Sequence, residues 1–117
     1  MGTTYVDAVL RGPTGREAPV RFLVDRGATY SLVPADVWRD LELQPPRTVA
    51  TMLADGTTID RDVSECHFTL PQGASHSPVF LGEPGDQALL GAVTLENLGL
   101  VLDPFRRTLH PMRMLLA

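Results

Sequence analysis

A chain of 117 residues, 44% apolar and 21% charged, is long enough for one domain, spanning 1–117, with a modest core. Its formal net charge of −4, with no basic run longer than Arg106-Arg107, excludes a surface built to displace phosphate counterions, so no nucleic-acid partner is expected. The single cysteine, Cys66, excludes an intrachain disulfide and leaves a Cys-based zinc site short of ligands, which fits a reducing, cytoplasmic compartment.

The opening Met1-Gly-Thr-Thr-Tyr-Val-Asp7 lacks the basic and apolar regions of a signal peptide, and no window approaches a membrane span, so the whole chain is expected free in solution. Val6 stands where a myristoylation signal needs Ser or Thr. Thr4 to Leu10 and Ala18 to Val24 are β-forming runs around the turn cluster Arg11 to Arg16, a hairpin pattern. Pro34 at a first-turn position, with Val33, Val37 and Leu41 on one face and Trp38 beside it, predicts a short helix, which Pro45-Pro46 ends. Arg47 to Leu53 and Thr58 to Val63 flank Ala54-Asp-Gly-Thr57, a strong hairpin signal. Cys66 to Leu70 and Ser77 to Leu81 read as further strands separated by the turn residues Pro71 to Ser75. After a polar loop, Leu89-Leu90-Gly91 leads into a second short helix, Ala92 to Leu98, with Gly99 at its stop. Leu100 to Asp103 is one more strand, and Met112 to Leu116 is a candidate for a last one. Two short helices among about seven short strands predict an all-β class, a small closed or semi-closed barrel. The apolar-strand-then-glycine entry into each helix repeats faintly, at Phe22 to Gly27 and at Ala88 to Gly91, as two similar half-units would.

Most chemistry-bearing residue types fall away on spacing. His67, His76 and His110 lie apart, and none pairs at the helical i, i+4 spacing of a metal site, so neither metal nor cofactor is expected. Cys66 and His67, adjacent on a strand, point to opposite faces. Ser31 and Ser64 lack a G-x-S-x-G elbow, and the glycines at 82, 85 and 91 lack the Gly-Lys-Ser/Thr ending of a phosphate loop. Asp25 differs: it ends an apolar strand and precedes Gly27-Ala28, small residues that permit a sharp turn and a close approach. Taken alone it reads equally as a cap or turn residue.

Its surroundings decide between those readings. Phe22-Leu-Val-Asp-Arg-Gly-Ala-Thr-Tyr-Ser-Leu-Val-Pro34 closely resembles the active-site segment of the retroviral-type (retropepsin-like) aspartic proteases, which carries Asp-Thr-Gly-Ala or Asp-Ser-Gly-Ala. Three further features follow in family order: Met52-Leu-Ala-Asp-Gly-Thr57 like a flap tip, Leu89-Leu90-Gly91 before a short helix, and the strand Leu100-Val-Leu-Asp103-Pro104. The resemblance covers roughly residues 4 to 110. It implies a small barrel with a β-hairpin flap, and an endopeptidase whose catalytic Asp25 is doubled by homodimerisation, so that two carboxyls share one proton. It also implies an active-site loop of Arg26, Gly27 and Ala28. Leu53, Ala54, Asp55, Gly56 and Leu90 would contact a peptide or protein substrate, with Leu32, Val33 and Ile59 adding apolar pockets. In relatives the chain termini build the dimer's interfacial sheet, a task for Met112 to Leu116.

Arg26 breaks the pattern. In the family a small hydroxyl residue there hydrogen-bonds across the dimer axis. Two always-charged guanidinium groups in its place would each cost on the order of several kcal/mol if buried unpaired. Three outcomes follow: a weakened dimer or a monomer, a dimer with Arg26 turned to solvent, or an inactivated form of a working enzyme. Little or no protease activity is expected. The alternative from another class is a catalytically silent barrel that binds peptides or partners through the same groove. A third reading, a small β-barrel of wholly unrelated role, explains the composition but not the ordered motifs; for Arg26 alone, the bland reading is an ordinary solvated residue in a different local fold.

Overall fold

The computed structural model describes residues 3–116. In chain order the elements are β1 (Tyr5–Arg11), β2 (Glu17–Val24), β3 (Ser31–Val33), α1 (Ala35–Asp40), β4 (Arg47–Met52), β5 (Thr58–Leu70), β6 (Gly73–Leu81), β7 (Leu89–Leu90), α2 (Ala92–Leu98), β8 (Leu100–Asp103) and β9 (Thr108–Pro111). None of the described helices is long and apolar enough to cross a membrane.

Period-two alternation places the core. Ala8 and Leu10 on β1 and Val20, Phe22 and Val24 on β2 point inward, as the pleat requires for every second residue. The seven-stranded sheet runs β1-β2-β7-β3-β6-β5-β4, and β1 also pairs with β5 through Leu10↔Phe68 and its neighbours. Six strands therefore close into a ring, which removes the edges an open sheet would expose. Phe22 and Phe68, fully buried, meet inside it with ring centroids 5.6 Å apart. The fold is all-β with two short helices, as the sequence predicts.

Three element boundaries differ from the sequence reading. The runs 58–63 and 66–70 form one strand of 13 residues, because β5 pairs with β4 through Val63 at one end and with β6 from Val63 onward at the other. The alternation slips at Val63-Ser64, both buried, where the partner changes, and that slip imitates a break. Between β5 and β6 only Pro71 and Gln72 turn, and Gly73 already pairs with Leu70. At the C-terminus the last strand is Thr108–Pro111, and 112–116 is not a strand. Asp103 Oδ1 accepts the Phe105 and Arg106 N–H groups, a tight turn that sets Thr108 opposite Asp103 at once.

The β4–β5 hairpin projects beyond the ring. At its tip the Leu53 N–H donates to the Thr57 carbonyl (2.7 Å) and the Gly56 N–H to the Leu53 carbonyl (2.9 Å). Gly56 has φ +88°, so the loop takes a left-handed residue after a tight turn. Asp55 braces it by accepting from the Thr57 N–H and hydroxyl, at 2.9 and 2.6 Å, and those bonds hold its carboxyl below the usual value of 3.8.

Candidate active site

Asp25 sits at the first position after β2. Its N–H donates to the Leu90 carbonyl on β7 (2.9 Å), so the parallel β2–β7 pairing fixes its backbone. Its Oδ1 accepts the Gly27 N–H at 2.9 Å, and the Ala28 N–H donates back to the Asp25 carbonyl at 3.2 Å. The turn thus folds over its own carboxylate, and an acid is held half-buried at a strand end.

Helix α2 supports that turn from below. Its first N–H groups, which no helical carbonyl can reach, donate to the loop: Ala92 to the Ala28 carbonyl (2.8 Å) and Val93 to the Thr29 carbonyl (3.0 Å). The approach is so close that a Cβ at Gly91 would lie 2.6 and 2.7 Å from the Tyr30 carbonyl carbon and oxygen. Beneath it, the Gly91 N–H donates to Ser31 Oγ (2.9 Å). Ser31 is bonded to Thr94 Oγ1 (2.5 Å), and Thr94 to Ser77 Oγ (2.7 Å). The three hydroxyls are buried and mutually satisfied, tying β3, β6 and α2 together under the turn.

A cavity of about 720 Å³ opens above Asp25. Asp25, Gly27 and Ala28 line it from the turn, and Leu53 and Ala54 from the hairpin. Leu32 lines it too. Asp55 and Gly56, at the exposed hairpin tip, are not among the lining residues, nor is Ile59. Leu90 and Val33 are fully buried in the core; Leu89, one residue earlier and on the opposite strand face, lines the cavity in Leu90's stead.

Sequence reasoning missed three more features of this wall. Tyr30 packs on Phe80 (5.4 Å between centroids), and its hydroxyl accepts from Arg47 Nη2 at 3.0 Å. Arg61, on β5, lines the cavity and pairs with Asp86 at 2.9 Å, joining the base of the hairpin to the loop before β7. That hydrogen bond, together with the Glu83 N–H, holds the Asp86 carboxyl below its ordinary value. Arg61 carried one detectable signal, an arginine at a position where its β-hairpin alternation turns toward the core.

Arg26 is exposed, and no hydrogen bond or salt bridge joins it to another described residue; the Asp25 carboxylate is engaged by Gly27 instead. His67 and His76, on either side of the β5–β6 turn, are direct partners across β5 and β6. Among the described residues no group of three or more His, Cys, Asp or Glu could hold a metal.

A strand-end aspartate in a glycine turn, braced by a second strand, glycine and helix inside a ring of strands, defines a retropepsin-like fold. A family profile described as aspartyl protease matches residues 6–94, and the chain belongs to that family. The solution structure of simian foamy virus (mac) protease is similar at 21% identity and TM-score 0.56, over 79% of this chain and 91% of that one. A retropepsin-like aspartic protease from Rickettsia conorii is similar at 20% identity and TM-score 0.55, over 87% and 85%. The prototype foamy virus protease-reverse transcriptase matches at 18% identity and TM-score 0.57, over 97% of this chain but 12% of that much longer one. No curated protein matches the sequence at a significant level.

Proposed function

We propose that this chain is one protomer of a homodimeric aspartic endopeptidase, acting in the cytoplasm, whose activity Arg26 holds at little or none. The observation that carries the reading is a half-buried carboxylate, Asp25, the one acidic residue among those lining a cavity roofed in part by a hairpin. Peptide hydrolysis without metal or covalent intermediate needs one carboxylate to take a proton from water and a second carboxyl to give one to the carbonyl oxygen. One chain supplies one such group, so a second copy must bring the other across a twofold axis. The hairpin would then act as a flap, pairing with an extended substrate and excluding water. Leu32, Leu53, Phe80 and Leu89 favour apolar side chains by simple burial.

Arg26 follows Asp25 directly and would face its copy near the same axis. Two unpaired guanidinium groups, at several kcal/mol each, are enough to offset an interface worth about 10 kcal/mol. The test is Arg26→Thr: this variant forms a dimer by sedimentation and cleaves denatured casein between pH 4 and 7 with pepstatin sensitivity, and Asp25→Asn in that background does not cleave. A variant that stays monomeric and inert overturns the reading. Arg26 itself favours the second reading, a silent barrel of the same fold that binds peptides. That reading is supported instead if the unaltered chain binds extended peptides as a monomer.

A further inference from the structure

The outer face of the β5–β6 hairpin carries two side chains for which proteolysis has no use. His67 and His76 are cross-strand partners whose rings meet edge to face, with centroids 4.9 Å apart and planes at 71°. Both line a cavity of about 590 Å³, together with Arg11, Gln44 and Glu65, and none of its lining residues borders the Asp25 cavity.

The spacing suits more than ring stacking. An imidazole nitrogen binds a divalent transition ion at about 2.0–2.1 Å, which places the ion about 3.2 Å from the ring centroid. Two centroids 4.9 Å apart then subtend about 100° at that ion, between the square-planar and tetrahedral angles. The rings must reorient for a nitrogen of each to meet the ion, and His76, exposed, has a broad two-fold χ2 torsion for that purpose. Thr69 Oγ1 lies 3.5 Å from His67 Nδ1, leaving His67 Nε2 without a hydrogen-bond partner among the described residues.

We propose that His67 and His76 together bind one divalent transition ion of the imidazole-preferring class (Zn²⁺, Ni²⁺ or Cu²⁺), with water filling the remaining positions. With two protein nitrogens and no third ligand among the described residues, the site is an open one that clips β5 to β6. Its residues lie outside the Asp25 cavity.

The experiment is a calorimetric Zn²⁺ titration of the full chain at pH 7.5, with circular dichroism to confirm that each variant is folded. Expected are one ion per chain with Kd below about 100 µM, at least a tenfold weakening in His76→Ala and in His67→Gln, and no change in His110→Ala. Histidine side-chain NMR should show His67 and His76 shifting together on Zn²⁺ addition. Absence of saturable binding, binding that survives either variant, or loss of binding in His110→Ala overturns the proposal.

Discussion

Position 26 concentrates the tension in this molecule. Gly27 and Ala28 both bond back to Asp25, while Arg26 between them carries a charge that the twofold axis of the proposed dimer would not tolerate. Restoring activity with Arg26→Thr and then adding Asp25→Asn should lower the rate of peptide cleavage by about 10²–10⁴-fold, the range of one general acid–base group. Thr94 is the second decisive residue, because it joins Ser31 and Ser77 in a buried hydroxyl chain. Thr94→Val keeps the shape but removes the shared partner, and urea denaturation should report a loss of about 1–3 kcal/mol. Asp25 was legible because its neighbours in sequence form a pattern. Thr94 was not, because its partners lie 63 and 17 residues away.

Between elements, two contacts set the cavity's shape. The first is the meeting of α2 with the Asp25 turn at Gly91. Gly91→Ala would press a methyl group into the Tyr30 and Ala28 carbonyls, at 2.6–2.8 Å, where backbone cannot yield cheaply. A loss of about 1–3 kcal/mol in stability, or more, is expected by thermal denaturation. The second is the Arg61–Asp86 pair between the hairpin and the loop before β7. Asp86 has its folded value depressed below 3.8, so this contribution is fully present above that pH and is lost as pH falls through the lower folded value. Arg61→Gln should therefore cost about 1 kcal/mol near neutral pH, modest because both side chains are partly exposed. The urea midpoints of the two proteins should converge below pH 3.8. The hairpin itself was readable from Asp-Gly between β-forming runs. Its fusion with the next strand into one long β5 was not, since a change of pairing partner leaves no mark except a slip in alternation.

At the scale of the molecule, the ring of strands buries one core and leaves large apolar side chains exposed toward the C-terminal end. Phe105 is 92% exposed, Leu115 84% and Leu116 99%. Such exposure is a liability for an isolated chain and suits a surface awaiting a partner. In the Arg26→Thr background, Leu115→Glu with Leu116→Glu should shift the protein from dimer to monomer in sedimentation equilibrium while leaving its circular dichroism unchanged. A dimer that persists would place the interface elsewhere.

The sequence by itself determined the all-β class, both helices, the hairpin and the turn around Asp25, because each rests on contacts between residues close in the chain. Only the tertiary structure decided which leucine faces the cavity, Leu89 rather than Leu90, for that choice follows from strand register, and register comes from partners on β2 and β3. It alone brought His67 to His76 and Arg61 to Asp86. The His67–His76 pairing follows from the hairpin register once the turn at Pro71-Gln72 is placed, and the Arg61–Asp86 contact from how the loop before β7 packs on β5.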